Sequence, residues 1–296
     1  MKTLKLIIGL LLVSVITANA QKTKSLQWIG GPTYVLHLGS FKILTDPMLS
    51  PKGDSAFIIK QHPTTGQLNA PITRLIAPAK FDMDNIDVLL VSHPHADHVD
   101  KQAVATLPKN LHVVGPLINK QVFNDWGWTV FTGLNWGDST VVKKANETLT
   151  ITAVEAHHAA NDPLKAQLGK GNGYIITYSN GNDIYRIYWA GDTVWFDDIA
   201  TYTKYGNIDL LIPDMGAVGS DGAIGRRGLN SADCLQIAKT LNPQMIIPVH
   251  HSTFSMYVEP ISVLKDTLNK TEFGKRLHIL KTGQTAKLYP VKQHNF

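Results

Sequence analysis

Four side chains able to ligate a metal fall within six residues, at His93, His95, Asp97 and His98, inside the segment Val91-Ser92-His93-Pro94-His95-Ala96-Asp97-His98-Val99-Asp100. Imidazole nitrogen and carboxylate oxygen suit zinc and its neighbours, and His-x-His alternation puts two rings on the same side of an extended backbone. Asp97 and His98 follow where the chain turns toward a helix and can point at a second ion, so one short loop can serve two metals. A lone histidine is more often a surface or satisfied core residue, and His37, His62, His112, His278 and His294 are read that way. The cluster differs because it follows directly on a buried apolar run, Val88-Leu89-Leu90-Val91, and loops at strand ends are where chemistry sits. The chemistry in reach is hydrolysis. A divalent cation lowers the pKa of bound water from about 16 to near 7, so attack at neutral pH needs no serine or cysteine.

Such a loop needs a scaffold, and short β-forming runs supply it. Leu26 to Leu38 and Phe41 to Thr45, joined at Gly39-Ser40, predict an antiparallel pair. After the Val88 strand, His98 to Leu107 carries a helical pattern. Leu111 to Val114, Thr148 to Val154, Tyr174 to Tyr178 and Ile184 to Ala190 read as further strands, the last two joined by a turn at Asn180-Gly181-Asn182. The final third alternates: strand Leu210–Ile212, helix Ser231–Thr240 capped at Asn230 or Ser231, strand Met245–Val249, helix Val258–Leu268 and strand Leu277–Lys281. The strands are too apolar to leave one face wet. The expected fold is therefore α/β, a four-layer αββα sandwich of two mixed sheets flanked by helices.

Residues 1–20 follow another rule: Lys2 and Lys5 precede an apolar run from Leu6 to Ile16, and Ala18-Asn19-Ala20 places small residues at a cleavage position. This predicts a signal peptide cut before Gln21 and an exported, periplasmic or secreted protein. The apolar run is shorter than the roughly 20 residues a membrane span needs. With no repeat and no linker in the remainder, residues 21–296 are expected to form a single domain. The chain is 44% hydrophobic and 17% charged, the composition of an ordinary globular protein. Removal of the leader would take two lysines from a net charge of +5, and the other positive charges are dispersed. A nucleic-acid partner is thus not expected. Cys234 is the only cysteine, which excludes an intramolecular disulfide; it falls in the amphipathic stretch Ala232–Ala238 and is expected to be a buried, inert thiol.

The His93 loop resembles the H-x-H-x-D-H motif of the metallo-β-lactamase superfamily, and three later segments match in order: Val154-Glu155-Ala156-His157-His158, Trp189-Ala190-Gly191-Asp192-Thr193 and Pro248-Val249-His250-His251-Ser252-Thr253-Phe254. With Trp28-Ile29-Gly30 and Leu44-Thr45-Asp46-Pro47, the chain looks most like the branch containing N-acylphosphatidylethanolamine phospholipase D and ascorbate-6-phosphate lactonase. The resemblance implies the metallo-β-lactamase fold and two divalent ions, with zinc expected and manganese or iron(II) compatible. It places His93, His95 and His158 on one ion and Asp97, His98 and His250 on the other, with Asp192 bridging and Asp97 and Asp192 as catalytic carboxylates. Period-two alternation lets only one histidine of each doublet face the metals, and alignment with the family selects His158 over His157 and His250 over His251. Glu155 departs from the pattern, since many relatives have proline there. Asp46 is either a turn residue before Pro47 or a carboxylate supporting the site.

The implied activity is hydrolysis of an ester, lactone or phosphodiester in a small or lipid-like substrate. An exported β-lactamase is the alternative, but no cysteine stands near Asp192 to act as a ligand. A non-catalytic metal-binding protein would be expected to have lost ligands, and here all are present. The loops Ser50–Lys80, Trp126–Trp136 and Asn161–Asn172 are expected to rim the site. Trp126, Trp128, Phe131, Trp136, Trp195 and Phe196 either wall an apolar pocket there or fill the core.

Overall fold

Alternating apolar positions in the strands have to be covered on both faces, and the chain does this by stacking two sheets and placing helices outside them. The computed structural model describes residues 24–58, 71–160, 162–181, 183–219 and 225–289. In chain order the first half holds β1 (Lys24–Gly30), β2 (Thr33–Leu38), β3 (Phe41–Thr45), β4 (Gly53–Ile58), β5 (Pro71–Arg74), β6 (Val88–Leu90), α1 (Lys101–Thr106), β7 (Val113–Pro116) and α2 (Lys120–Asp125). Next come β8 (Phe131–Leu134), β9 (Ser139–Lys144), β10 (Glu147–Ala156), α3 (Asp162–Leu168), β11 (Gly171–Asn180) and β12 (Asp183–Trp189). The last third holds β13 (Leu210–Ile212), α4 (Ser231–Leu241), β14 (Met245–Ile246), α5 (Ile261–Asn269) and β15 (Thr285–Lys287).

One sheet runs β15-β1-β2-β3-β6-β7-β8 and the other β14-β13-β12-β11-β10-β9, both mixed, while β4 and β5 form a separate antiparallel pair. Between the sheets, Leu36, Ile43 and Leu90 pack with Ile151, Ile176 and Ile187. Behind the second sheet, Ile175 and Leu211 meet Ile237 of α4 and Leu264 of α5. Behind the first, Val35 and Leu89 meet Ala103 of α1 and Phe123 of α2. These three apolar layers make the αββα sandwich of the metallo-β-lactamase fold. Cys234 lies in the α4 layer, fully buried, and burial pushes its thiol up to about 12.

Several local expectations change: the helix expected from Val258 begins at Ile261, after Pro260, and the strand expected over Met245–Val249 is β14, Met245–Ile246. The first run breaks into β1 and β2 because Gly30 and Gly31 take φ of +125° and +59°, angles that side chains with a Cβ rarely adopt. The helix after the ligand loop begins at Lys101, where the Asp100 side chain accepts a hydrogen bond from the Ala103 amide. Leu277–Lys281 makes only a single bridge, from Leu277 to Ile246, and the last strand is β15. Of the three expected loops, 50–80 contains β4 and β5, 126–136 contains β8, and 161–172 contains α3. The proposed signal peptide, His62 and His294 lie outside the described residues. Among the described residues no helix is long and apolar enough to cross a membrane.

Candidate metal centre

Neighbouring strands of both sheets end at one edge of the sandwich, and each delivers its polar residue just past its end. β6 leads into Ser92 and His93, β10 into His157 and His158, β12 into Asp192, and β14 into His250. Gly191 makes the step into Asp192 possible: it has φ +60°, and a Cβ there would lie 2.8 Å from the Asn172 carbonyl oxygen. His250 itself takes φ 55°, a strained left-handed conformation for a residue with a Cβ.

Two clusters of potential ligand atoms result, His93 with His95 and His158, and Asp97 with His98, Asp192 and His250, and a third group, Asp46 with Asp214, shares His98; within each, the atoms lie within 4.8 Å of one another. The clusters abut, with the His93 and His98 rings 4.1 Å apart between centroids. Asp192 belongs to both by distance. Its Oδ2 is 3.4 Å from His158 Nε2 and 3.2 Å from His98 Nε2, and its Oδ1 is 3.7 Å from His250 Nε2. Asp97 Oδ2 lies 3.7 Å from His250 Nε2 and 3.9 Å from His98 Nε2.

Each of the five imidazoles is held by its outward nitrogen. His95 Nε2 donates to the Leu168 carbonyl at 2.9 Å, His158 Nδ1 to that of Arg227 at 2.8 Å and His250 Nδ1 to that of Met215 at 2.9 Å. Ser92 Oγ donates to Asp46 Oδ2 at 2.5 Å and therefore accepts from His93 Nδ1 at 3.0 Å, while His98 Nδ1 donates to Asp46 Oδ2 at 2.6 Å. A carbonyl or carboxylate can only accept, so these contacts place the proton of a neutral imidazole on the outward nitrogen and leave the inward one as the ligating atom. His95 Nδ1 and His158 Nε2 then face each other at 3.1 Å with no proton between them. Two lone pairs at that distance repel unless a cation lies against both; nitrogens about 2.0–2.1 Å from a tetrahedral zinc are roughly 3.3 Å apart. Inward atoms His93 Nε2, His98 Nε2, His250 Nε2 and Asp192 Oδ1 are buried and have no hydrogen-bond partner among the described residues. The donor set fits divalent cations.

Electrostatics of the metal-free protein divide the histidines into a neutral set and a protonated set. Burial, followed by the charge of neighbouring histidines, lowers His93 well below its usual range and His95 to about 4, so both are neutral, as ligation requires. Burial alone would raise the carboxyls; His98 and His250 outweigh it, holding Asp97 at about 2 and Asp192 well below the usual carboxylate range. Burial would lower His250 and His98, but the Asp192 carboxylate above all, with Asp97 3.7 Å from His250 and Asp46 beside His98, raises His250 to about 9 and His98 well above its usual range, so these two give up a proton when a cation binds.

All seven residues singled out from the sequence (His93, His95, Asp97, His98, His158, Asp192 and His250) therefore meet at one place. Of each doublet, the inward member is the one the family alignment selects. His157 is half-buried, stacks on Phe196 at 4.0 Å and contacts Glu155 Oε2 through Nε2 at 2.9 Å, which gives the departing glutamate a partner. His251 is buried against Trp28, with ring centroids 4.5 Å apart. Asp46 combines both of its anticipated roles, since its φ is 29° and its carboxylate accepts from the Ser92 amide and hydroxyl and from His98. The lone His112 pairs with Thr132, and His37 and His278 also lie away from the site.

The aromatic residues go elsewhere. Trp126, Trp128 and Phe131 pack in the layer behind the first sheet, and Trp195 and Phe196 pack behind the second. Trp136 bonds to the Gly171 carbonyl. None of the six lines the cavity that opens on His95, Asp97, His158 and Asp192; its apolar wall is Phe57, Ile58, Leu168, Val218 and Met256, around a volume of about 140 Å³. Only Trp128 is fully buried; the other five are half-buried, four of them at the outer edges of the helix layers. Ser92 and the three supporting carbonyls were not foreseen. Ser92 could have been suspected from its place beside His93, but carbonyl partners leave no trace in sequence.

Comparison with known proteins agrees with this geometry. The chain is 25% identical over 271 residues to N-acyl-phosphatidylethanolamine-hydrolyzing phospholipase D 1 of Caenorhabditis elegans, covering 83% of this chain and 70% of that protein. It is 25% identical over 253 residues to a metal-dependent hydrolase of Pyrococcus abyssi, covering 84% and 93%. An isothiocyanate hydrolase from Delia radicum gut bacteria shares the fold with a TM-score of 0.74 and 21% identity, over 90% of this chain and all of that one. The profile of the beta-lactamase superfamily domain matches residues 42–251, and the chain belongs to that superfamily, among its metal-dependent hydrolases.

Proposed function

We propose that the protein is a binuclear metal-dependent hydrolase that cleaves an ester, lactone or phosphodiester bond in a small or lipid-like substrate. The observation that carries this reading is the set of five imidazoles with outward nitrogens tied down and inward nitrogens turned to one place, three of them facing Asp192, which lies within reach of both clusters. His93, His95 and His158 would hold one ion, Asp97, His98 and His250 the other, and Asp192 would bridge; zinc suits this nitrogen-rich set. When bound, the cations supply a water acidified toward neutral pH and positive charge against the oxygen that gains charge on cleavage.

The chain's own groups do the rest. Asp46 and Ser92 position one histidine from each cluster, so the two half-sites share a common support. The apolar wall of Phe57, Ile58, Leu168, Val218 and Met256 favours a substrate with an apolar part. The curated relative from Caenorhabditis elegans, a phospholipase D by name, supports a phosphodiester among the three bond types. Residues 21–296 would act as one domain, exported after removal of the leader.

Metal content by elemental mass spectrometry, paired with hydrolysis of phosphodiester, lactone and ester substrates before and after chelation, tests this. About two metals per chain with chelator-sensitive turnover of one class is expected. Protein that takes up no zinc, manganese or iron and hydrolyses nothing would overturn it.

A further inference from the structure

We propose that Tyr257 is a catalytic residue of this site, its hydroxyl donating a hydrogen bond to the substrate oxygen that gains negative charge on cleavage. The proposal rests on the hydrolase reading above and adds a donor that neither the motif nor the ligand set contains. The Tyr257 ring packs against the His250 ring, centroids 4.9 Å apart, and against Phe254 at 5.9 Å. It is not part of the cavity wall itself but packs directly behind it, in the small apolar cluster that includes the wall residues Phe57, Val218 and Met256, on the side of the ligand cluster that holds His250. Its hydroxyl is buried and has no hydrogen-bond partner among the described residues. Tyr34, Tyr185 and Tyr188 also bury unpartnered hydroxyls, but their rings lie between the sheets or behind the second one, away from the cavity.

An unpartnered buried hydroxyl destabilises the free protein, and the fold goes to some length to keep this one in place. Gly216 takes φ +107°, and a Cβ there would come within 2.5 Å of Tyr257 Cδ1, so only glycine leaves room for the ring. The carbonyl of the same glycine accepts from the Val258 amide, immediately after Tyr257. On the other side, a Cβ at Gly31 would lie 3.9 Å from the hydroxyl. Arg74, fully buried and with Nη2 unpartnered among the described residues, flanks the same glycine turn: a Cβ at Gly30 would be 3.6 Å from that nitrogen. Burial, then the carboxylates of Asp97, Asp192 and Asp214, push the phenol well above its usual range, so the group is a neutral donor that keeps its proton throughout. A fixed donor with nothing to bond in the free protein is the arrangement expected of a group whose partner is the transition state.

The test is Tyr257→Phe in the metal-loaded protein, with inorganic phosphate as the oxyanion probe in calorimetry and turnover measured on whichever substrate of the panel the wild type cleaves. The variant is expected to hold the same metal content, to unfold at the same temperature or higher, and to bind phosphate about tenfold more weakly. Its kcat should fall on the order of 100-fold with KM within a few-fold. A variant whose phosphate affinity and kcat both match the wild type within about threefold removes this proposal and leaves the hydrolase reading intact. A variant that loses metal in proportion to activity also removes it, since Tyr257 would then act by supporting His250. Wild-type protein that holds no metal removes both.

Discussion

Substitution of Asp46 by asparagine tests how far the site depends on one carboxylate outside the ligand set. Asp46 Oδ1 accepts from the Ser92 amide at 2.7 Å, while Oδ2 accepts from Ser92 Oγ at 2.5 Å and from His98 Nδ1 at 2.6 Å. An asparagine amide is the same size but has one acceptor. With its oxygen toward His98, the NH₂ group confronts the Ser92 amide, donor against donor. With its oxygen toward the Ser92 amide, the NH₂ group faces His98 Nδ1, which must then accept. His98 then carries its proton on Nε2, 3.2 Å from Asp192 Oδ2 and on the side a cation needs. The first orientation keeps His98 but strands the Ser92 amide next to His93, and the second loses His98 as a neutral ligand, so each weakens one half of the site. Loss of such a supporting partner weakens metal binding 10–100-fold, about 1.4–2.8 kcal/mol. The assay is competition against a chromophoric chelator on metal-free protein, with thermal unfolding of the same sample. Affinity within about threefold of wild type, at an unchanged unfolding temperature, would show that Asp46 does not set the His98 tautomer.

Other expectations follow from the same geometry. His158→Ala should lose one metal equivalent while His157→Ala retains both, because only His158 turns inward; metal analysis of the two variants decides it, and the reverse result would exchange their roles. Raised to about 9 from an ordinary 6.5, His250 contributes stability to the metal-free protein that is full below pH 6.5 and lost as pH rises through 9. Cation binding must displace its proton, so calorimetry in buffers of different ionisation heat should show proton release falling by one as pH rises through about 9; release that stays constant across that range would contradict the assignment. Cys234, with its thiol buried and pushed up to about 12, should resist thiol reagents at pH 8 in the folded protein and react with one equivalent once denatured.

Local spacing and patterning made much of this protein legible without a structure. The His93–His98 loop declares itself because four potential ligands within six residues have no other economical explanation, and the period-two runs of β10 to β12 declare themselves because burial demands them. Even the choice within the 157/158 doublet followed from strand alternation read against the family pattern. Tertiary structure decided what depends on distant chain segments. The carbonyls of Leu168, Met215 and Arg227 became ligand supports through backbone geometry, which any residue type can supply. Six aromatics that could have walled the pocket were drawn mainly into the helix layers, and residues from β4 and from the stretch after His250 took the wall instead. Nothing in the sequence marks Tyr257; folding set its ring beside His250 and left its hydroxyl unpartnered among the described residues. Sequence specifies side-chain chemistry and local periodicity; which backbone oxygen meets which nitrogen is fixed only when sheets and helices pack.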